Sequence, residues 1–246
     1  MSFTNYYNID LLKESINDKG LFKAIFFCSI PFAGKSYVLS NIKDGAYPVK
    51  VINTDNAVEF LAKQKRIDPT TAYDIVGPNK IKNMSKEIIF HSVNGMLPLM
   101  IDGTAVNTDN LLFRKQLLTD LGYDVAMVYI DVTKQTSLNR LRAKTRERLV
   151  PEDFIERTYD RIQTVLPFYK REFDDFVIVP NNTGDLTDKV ITDAYKKLKG
   201  FMSSPVKNPK AEEILKIIRG ERGSYLTPSY MSEADLKKKI KNWYHH

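Results

Sequence analysis

Short, nearly continuous apolar runs alternate along this chain with segments whose apolar residues recur every three or four positions. Phe22 to Cys28 (FKAIFFC) combines aromatic and β-branched side chains, the makeup of a strand covered on both faces. A loop containing Pro31 and Gly34 follows. Pro48 to Asn53 (PVKVIN) repeats the strand pattern and passes through Thr54 and Asp55 into AVEFLAKQKR, which has helical spacing. Asn79 to Asn94 predicts another helix, and Leu97 to Ile101 (LPLMI) a third strand running into Asp102 and Gly103. Asn107 or Thr108 can cap a helix that continues to Leu121 and stops at Gly122. Asp124 to Val132 (DVAMVYIDV) reads as a fourth strand with Thr133 capping the next helix, and Phe176 to Val179 as a fifth.

This alternation predicts an α/β domain built on a five-stranded, mostly parallel sheet with helices on both faces. Ligands bind such sheets at the carboxyl ends of the strands. The polar residues of interest therefore follow each strand: Lys35 and Ser36, Asp55, Asp102 and Thr104, Asp131, and Asn181 with Asn182. After Lys199 the composition changes to GFMSSPVKNPK, which reads as a linker. The expected organisation is a domain over residues 1–200, a linker over 201–210 and a small, mainly helical appendage over 211–246. The appendage holds a short helix near Ala211 to Arg219, a GERGSYLTPS loop and a capped helix from Ser232 to Tyr244.

The 246 residues are 43% hydrophobic and 27% charged, enough to bury a full core. A single cysteine, Cys28, and three histidines exclude an intrachain disulfide and a structural zinc cluster. The first twenty residues lack a basic region followed by an apolar stretch, and no apolar run approaches a bilayer span. The expectation is a cytoplasmic protein. The formal charge of +7 is concentrated in two places: Arg140 to Arg171 carries nine Lys/Arg against five Asp/Glu, and so does Pro205 to His246. Two basic segments on a balanced chain suggest polyanion contacts such as a nucleoside triphosphate and a nucleic-acid backbone, or solvated helix faces.

The segment Ser29-Ile30-Pro31-Phe32-Ala33-Gly34-Lys35-Ser36 matches G-x-x-x-x-G-K-[ST] except that serine replaces the first glycine. In this motif consecutive backbone N–H groups cradle phosphate oxygens at a helix N-terminus, the Lys35 ammonium reaches the β/γ-phosphates, and the Ser36 hydroxyl ligates Mg²⁺. Its place between a buried strand and a helix supports nucleotide binding over an ordinary turn. Serine enters a positive φ less cheaply than glycine, so the substitution tests the reading.

This loop, the Asp55 step and the later arginine-rich segment resemble the P-loop kinase group that contains polynucleotide kinases and zeta-toxin-like kinases, over roughly Phe22 to Lys199. The resemblance implies a P-loop kinase fold using ATP and Mg²⁺. It implies that Asp55 takes the proton of the acceptor hydroxyl, in line with phosphoryl transfer that rests on positioning and charge; a plain helix cap is the competing use of Asp55. It also implies that Asp102 helps hold Mg²⁺, the alternative being a turn-forming Asp-Gly pair. SLNRLRAKTRERLVPEDFIERTYDRI resembles a helical lid at about residues 140–171, with Arg146 and Arg148 closing on the transferring phosphoryl group and Arg140 and Arg142 reaching the nucleotide. Some of these arginines must pair with Glu147, Glu152 or Glu156 instead. Asn181 and Asn182 follow the last strand, where the group contacts adenine.

The group places an arginine shortly after the catalytic aspartate, where this chain has Glu59 and Phe60; Lys63, Lys65, Arg66 and Arg114 are alternatives for holding an acceptor. A GTPase is disfavoured because the only Asn-Lys pair, Asn79-Lys80, lacks the base-reading aspartate. In the appendage Arg219, Arg222, Tyr225, Tyr230, Lys237, Lys238, Lys239, Lys241, Trp243 and Tyr244 interleave cations and aromatics, which suits a nucleic acid or a cap docked on the core. The expected acceptor is a hydroxyl on DNA: the hydroxymethyl group of 5-hydroxymethyluracil, as in phage kinases of the resembling families, or a 5′-OH end. A zeta-toxin-like or metabolite kinase acting on a sugar nucleotide or nucleoside, and an ATP-regulated nucleic-acid-binding protein, are the alternatives.

Overall fold

The computed structural model describes residues 20–39, 49–68, 75–143, 151–182, 188–218 and 232–243. The apolar runs become strands β1 (Lys23–Cys28), β2 (Lys50–Ile52), β3 (Leu99–Ile101), β4 (Asp124–Asp131) and β5 (Asp175–Pro180). They lie in the order β2-β3-β1-β4-β5, and every pairing is parallel. All six residues of β1 are buried, because a central parallel strand is covered on both faces. In register, Phe26 lies beside Ile101 of β3 and Cys28 beside Tyr129 of β4.

The helices are α1 (Thr54–Lys65), α2 (Pro78–Asn94), α3 (Thr108–Asp120), α4 (Lys134–Arg142), α5 (Glu152–Glu172), α6 (Asp188–Ser203), α7 (Pro209–Ile218) and α8 (Glu233–Lys241). A further helix opens at 35–39. Of the two candidate caps for α3, Asn107 fills the role: its Oδ1 accepts the Asn110 N–H at 2.9 Å. Thr133 and Ser232 cap α4 and α8 in the same way, each satisfying an N–H that the helix itself cannot.

The chain leaves β1 toward β2 on one side and leaves β3 toward β4 on the other, so the order of connections reverses between β1 and β3. That reversal opens a crevice at the carboxyl edge of the sheet. The loop after β1 and Asp102 after β3 flank it.

The opposite edge is closed by a charge in the core. Lys23 is fully buried, and its Nζ lies 2.7 Å from Asp124 Oδ2, 3.2 Å from Ser204 Oγ and 3.3 Å from the Pro205 carbonyl. Asp124 also accepts the N–H groups of Lys207 and Asn208 at 2.8 and 2.9 Å. Segment 201–210, which the composition suggests is a linker, is thus tied to the foot of β1 and β4. Ala211, Ile214, Leu215, Leu236, Ile240 and Trp243 from α7, α8 and the following turn belong to the same apolar cluster as the strands.

Trp243 has no exposed surface. Its carbonyl accepts from Asn110 Nδ2 at 3.2 Å and Arg114 Nε at 2.9 Å, and the Arg114 guanidinium lies 5.2 Å from its ring. The indole is therefore packing and cannot stack on a base. Lys237, Lys238, Lys239 and Lys241 point outward. Arg219, Arg222, Tyr225, Tyr230 and Tyr244 lie outside the described residues.

Candidate active site

Between β1 and the helix that opens at Lys35, the chain forms a compact loop in which Ser29, Ile30, Phe32 and Ala33 are buried, Pro31 is partly covered and Ser36 is exposed. The serine substituted for the first motif glycine carries no strain. Positive φ values in the loop fall on Phe32 (59°) and Gly34 (82°), not on Ser29. Gly34 has a second reason to be glycine: a Cβ there would collide with the Asn181 side-chain amide. Neighbouring left- and right-handed backbone of this kind turns successive N–H groups into an anion-binding concavity.

Lys35 reaches across the crevice. Its Nζ forms an ion pair with Asp102 Oδ1 and donates to the Gly103 carbonyl at 3.2 Å. Asp102 is fixed in turn by Asn53, whose Nδ2 donates to Oδ2 at 2.7 Å, and by its own N–H donating to the Ile52 carbonyl at 3.0 Å. The buried Oδ1 receives no well-directed hydrogen bond and is compensated by the ammonium alone. Such an arrangement holds a cation over the loop and gives it a counter-charge, which an entering phosphate can take over. Asn53 was not among the expected residues. Its signal was its position at the end of β2, the same rule that selected the others.

Cys28 sits beneath this pair. Its thiol donates to the Thr104 carbonyl at 3.6 Å, and burial raises its pKa from 9.0 to about 12 despite the nearby Lys35 ammonium. Next to Asp102, a cavity of about 180 Å³ opens between β1, the segment from Gly103 to Asn107 and α3, with Asn110 and Arg114 on its wall.

The other expected residues fall as follows. Asp55 is the second residue of α1, directly after β2 at the carboxyl edge; its side chain lies outside the described part of the structure. Arg146 and Arg148 also lie outside it. Arg142 ends α4 and makes a two-pronged pair with Glu152 at the start of α5, both contacts 2.8 Å. The hydrogen bond and charge of that pair raise the Arg142 pKa and lower that of Glu152. Asn181 is buried at the end of β5, and its Nδ2 donates to the Ala33 carbonyl at 2.5 Å. Asn182 Oδ1 accepts the Thr133 N–H at 2.7 Å. Asp131 accepts from the Tyr129 hydroxyl at 3.3 Å; burial first, and then this carboxylate, push the Tyr129 pKa up. Lys63, Lys65 and Arg66 are exposed.

These residues fit a nucleoside triphosphate. A loop too tight for a side chain at Gly34, a cation held over it and a hydroxyl at Ser36 are the donors that phosphate oxygens need. Among the described residues, no group of three or more His, Cys, Asp or Glu could hold a metal. Ser36 and Asp102, together with the phosphates themselves, are the groups that would hold a Mg²⁺ ion.

No curated protein matches the chain. Among solved structures it is similar to a shikimate kinase from Bacteroides thetaiotaomicron, at 15% identity over 74% of this chain and 99% of that one with a TM-score of 0.44. It is similar to a gluconokinase from Sinorhizobium meliloti 1021, at 12% identity over 78% and 98% with a TM-score of 0.44. A deoxyadenosine kinase from M. mycoides with bound dCTP shares 17% identity over 72% and 99%, with a TM-score of 0.43. The zeta toxin family matches residues 12–191, most of the chain and all five strands; the protein belongs to that family and has a P-loop kinase fold.

Proposed function

We propose that the protein is an ATP-dependent kinase that transfers the γ-phosphoryl group to an alcohol hydroxyl. The observation that carries this reading is the strand–loop–helix cradle with Lys35 poised over it and braced by Asp102. In the proposed step the acceptor oxygen attacks the γ-phosphorus as the bond to the β–γ bridging oxygen breaks, ADP departs, and the acceptor proton passes to the Asp55 carboxylate. Lys35, Arg146 and Arg148 neutralise charge that spreads over the phosphoryl oxygens. Ser36 and Asp102 would hold a Mg²⁺ ion, which would supply further neutralisation of phosphate charge. Arg142 borders the nucleotide in this reading, and Asn181, the other residue expected there, acts on it through the phosphate loop that it holds.

For the acceptor we infer a hydroxyl on DNA, first the hydroxymethyl group of 5-hydroxymethyluracil and next a 5′-OH end. Support comes from lysines that the fold gathers from distant parts of the chain. α8 packs on α2, with Lys237 4.9 Å from the Phe90 ring. Lys86 of α2 has its pKa lowered by burial and then by Lys82 and Lys241, which places these cations close together in a basic patch that suits a polyanion. The buried Trp243 removes one support for base stacking. Family membership favours a second reading, a sugar nucleotide or nucleoside as acceptor.

The test is γ-labelled ATP offered in parallel to a 5′-OH oligonucleotide, end-blocked DNA containing 5-hydroxymethyluracil, and a panel of nucleosides and sugar nucleotides. Label on either DNA supports the polynucleotide reading, and label only on small molecules rejects it. ATP binding with no labelled acceptor, together with DNA binding unaltered by Asp55→Asn, would identify an ATP-regulated nucleic-acid-binding protein instead. No described helix is long and apolar enough to cross a membrane.

A further inference from the structure

Three successive carbonyls of the phosphate loop are engaged by side chains that lie outside the phosphate motif. Ser137 Oγ donates to the Pro31 carbonyl at 2.5 Å, Arg140 Nη1 to the Phe32 carbonyl at 3.2 Å, and Asn181 Nδ2 to the Ala33 carbonyl at 2.5 Å. Arg140 Nη2 donates at 2.7 Å to the main-chain carbonyl of Asn181, tying the two clamps together. Ser137 and Asn181 are almost completely buried. The donors come from two elements, α4 and the end of β5, that meet the loop only in the folded chain.

The consequence follows from peptide geometry. In a planar trans peptide the carbonyl of one residue and the N–H of the next point in opposite directions. With the carbonyls of Pro31 and Ala33 held by Ser137 and Asn181, the N–H groups of Phe32 and Gly34 point to the opposite side of the loop, where a phosphate would sit. The Ala33 N–H between them is spent on the Ile30 carbonyl at 3.3 Å. Phe32 holds a positive φ that a side chain disfavours, and the bond to its carbonyl keeps it there.

We propose that Ser137, Arg140 and Asn181 are positioning residues that preset the loop for the polyphosphate of ATP without touching it. The proposal rests on the nucleotide reading above and extends it to residues outside the phosphate motif. Their contribution is to fix these N–H groups before the anion arrives, so that binding does not have to order the loop.

The test measures ADP and tripolyphosphate binding by calorimetry for wild type, Ser137→Ala, Arg140→Met and Arg140→Lys, with melting temperatures recorded alongside. Loss of a charge-assisted bond predicts about a tenfold weaker affinity for Arg140→Met, a smaller loss for Ser137→Ala, and partial recovery in Arg140→Lys, which can restore one bond. Tripolyphosphate should weaken by the same factor as ADP. In turnover, KM for ATP should rise while KM for the acceptor stays put. If wild type binds ADP and both Ser137→Ala and Arg140→Met bind it within twofold, the clamp is merely structural and the proposal fails while the nucleotide reading survives. ADP weakened with tripolyphosphate unchanged would mean that Arg140 meets the nucleoside directly, which also overturns it. A wild type that binds neither ligand defeats the kinase reading itself.

Discussion

Lys35 and Asp102 are each the other's counter-charge at the centre of the crevice, and a change at either one acts on chemistry and stability together. Lys35→Met removes the cation that neutralises the transferring group and leaves a mostly buried carboxylate without its counter-charge, held only by the neutral Asn53 amide. The expected result is a fall in kcat/KM of about a thousandfold with a lowered Tm, measured by steady-state kinetics and thermal melting. Cys28 sits just below with a thiol pKa raised from 9.0 to about 12. Because the folded value lies above the unfolded one, the stability that the neutral thiol confers is complete below pH 9 and is lost as pH rises toward about 12. Native protein at pH 8 should therefore leave Cys28 unmodified by a thiol reagent that labels the urea-unfolded chain at once; rapid labelling of the folded protein would refute the burial.

At the scale of elements, α4 performs two tasks with residues two apart. Arg140 turns inward to the phosphate loop, and Arg142 turns outward to Glu152 on α5. An exposed ion pair contributes little to stability, so Arg142→Ala should leave Tm unchanged by differential scanning fluorimetry. If Arg142 borders the nucleotide when ATP is bound, the same variant should raise KM for ATP; an unchanged KM would confine the residue to the α4–α5 joint. Periodicity placed both arginines on one helix and could not say which faced the loop, because the loop is 108 residues away from Arg140 in the chain.

For the molecule as a whole, the buried Lys23–Asp124 pair binds the foot of the sheet to the segment leading into α7 and α8. Removing one partner of a buried pair leaves the other charge uncompensated, at a cost of about 3–5 kcal/mol. Asp124→Ala should show this as a reduced urea midpoint, and a midpoint equal to wild type would show that the C-terminal segment is held by its apolar contacts alone. The same anchoring predicts that deleting residues 205–246 destabilises the sheet, since Leu236, Ile240 and Trp243 share its core.

Much of this was written in one dimension. The five strands, the helix caps and the phosphate loop follow from local patterns, because a doubly covered strand must be continuously apolar, a cap must offer an acceptor, and a phosphate cradle must place small residues and a lysine in fixed succession. Which side chains meet across the fold did not follow from any such pattern. Asn53 on Asp102, Arg140 and Asn181 on the loop carbonyls, Lys23 on Asp124 and the inward turn of Trp243 all join residues far apart in sequence. Their partners are set by strand order and helix packing, and a polar residue carries the same letter whether it faces a ligand, a backbone carbonyl or water.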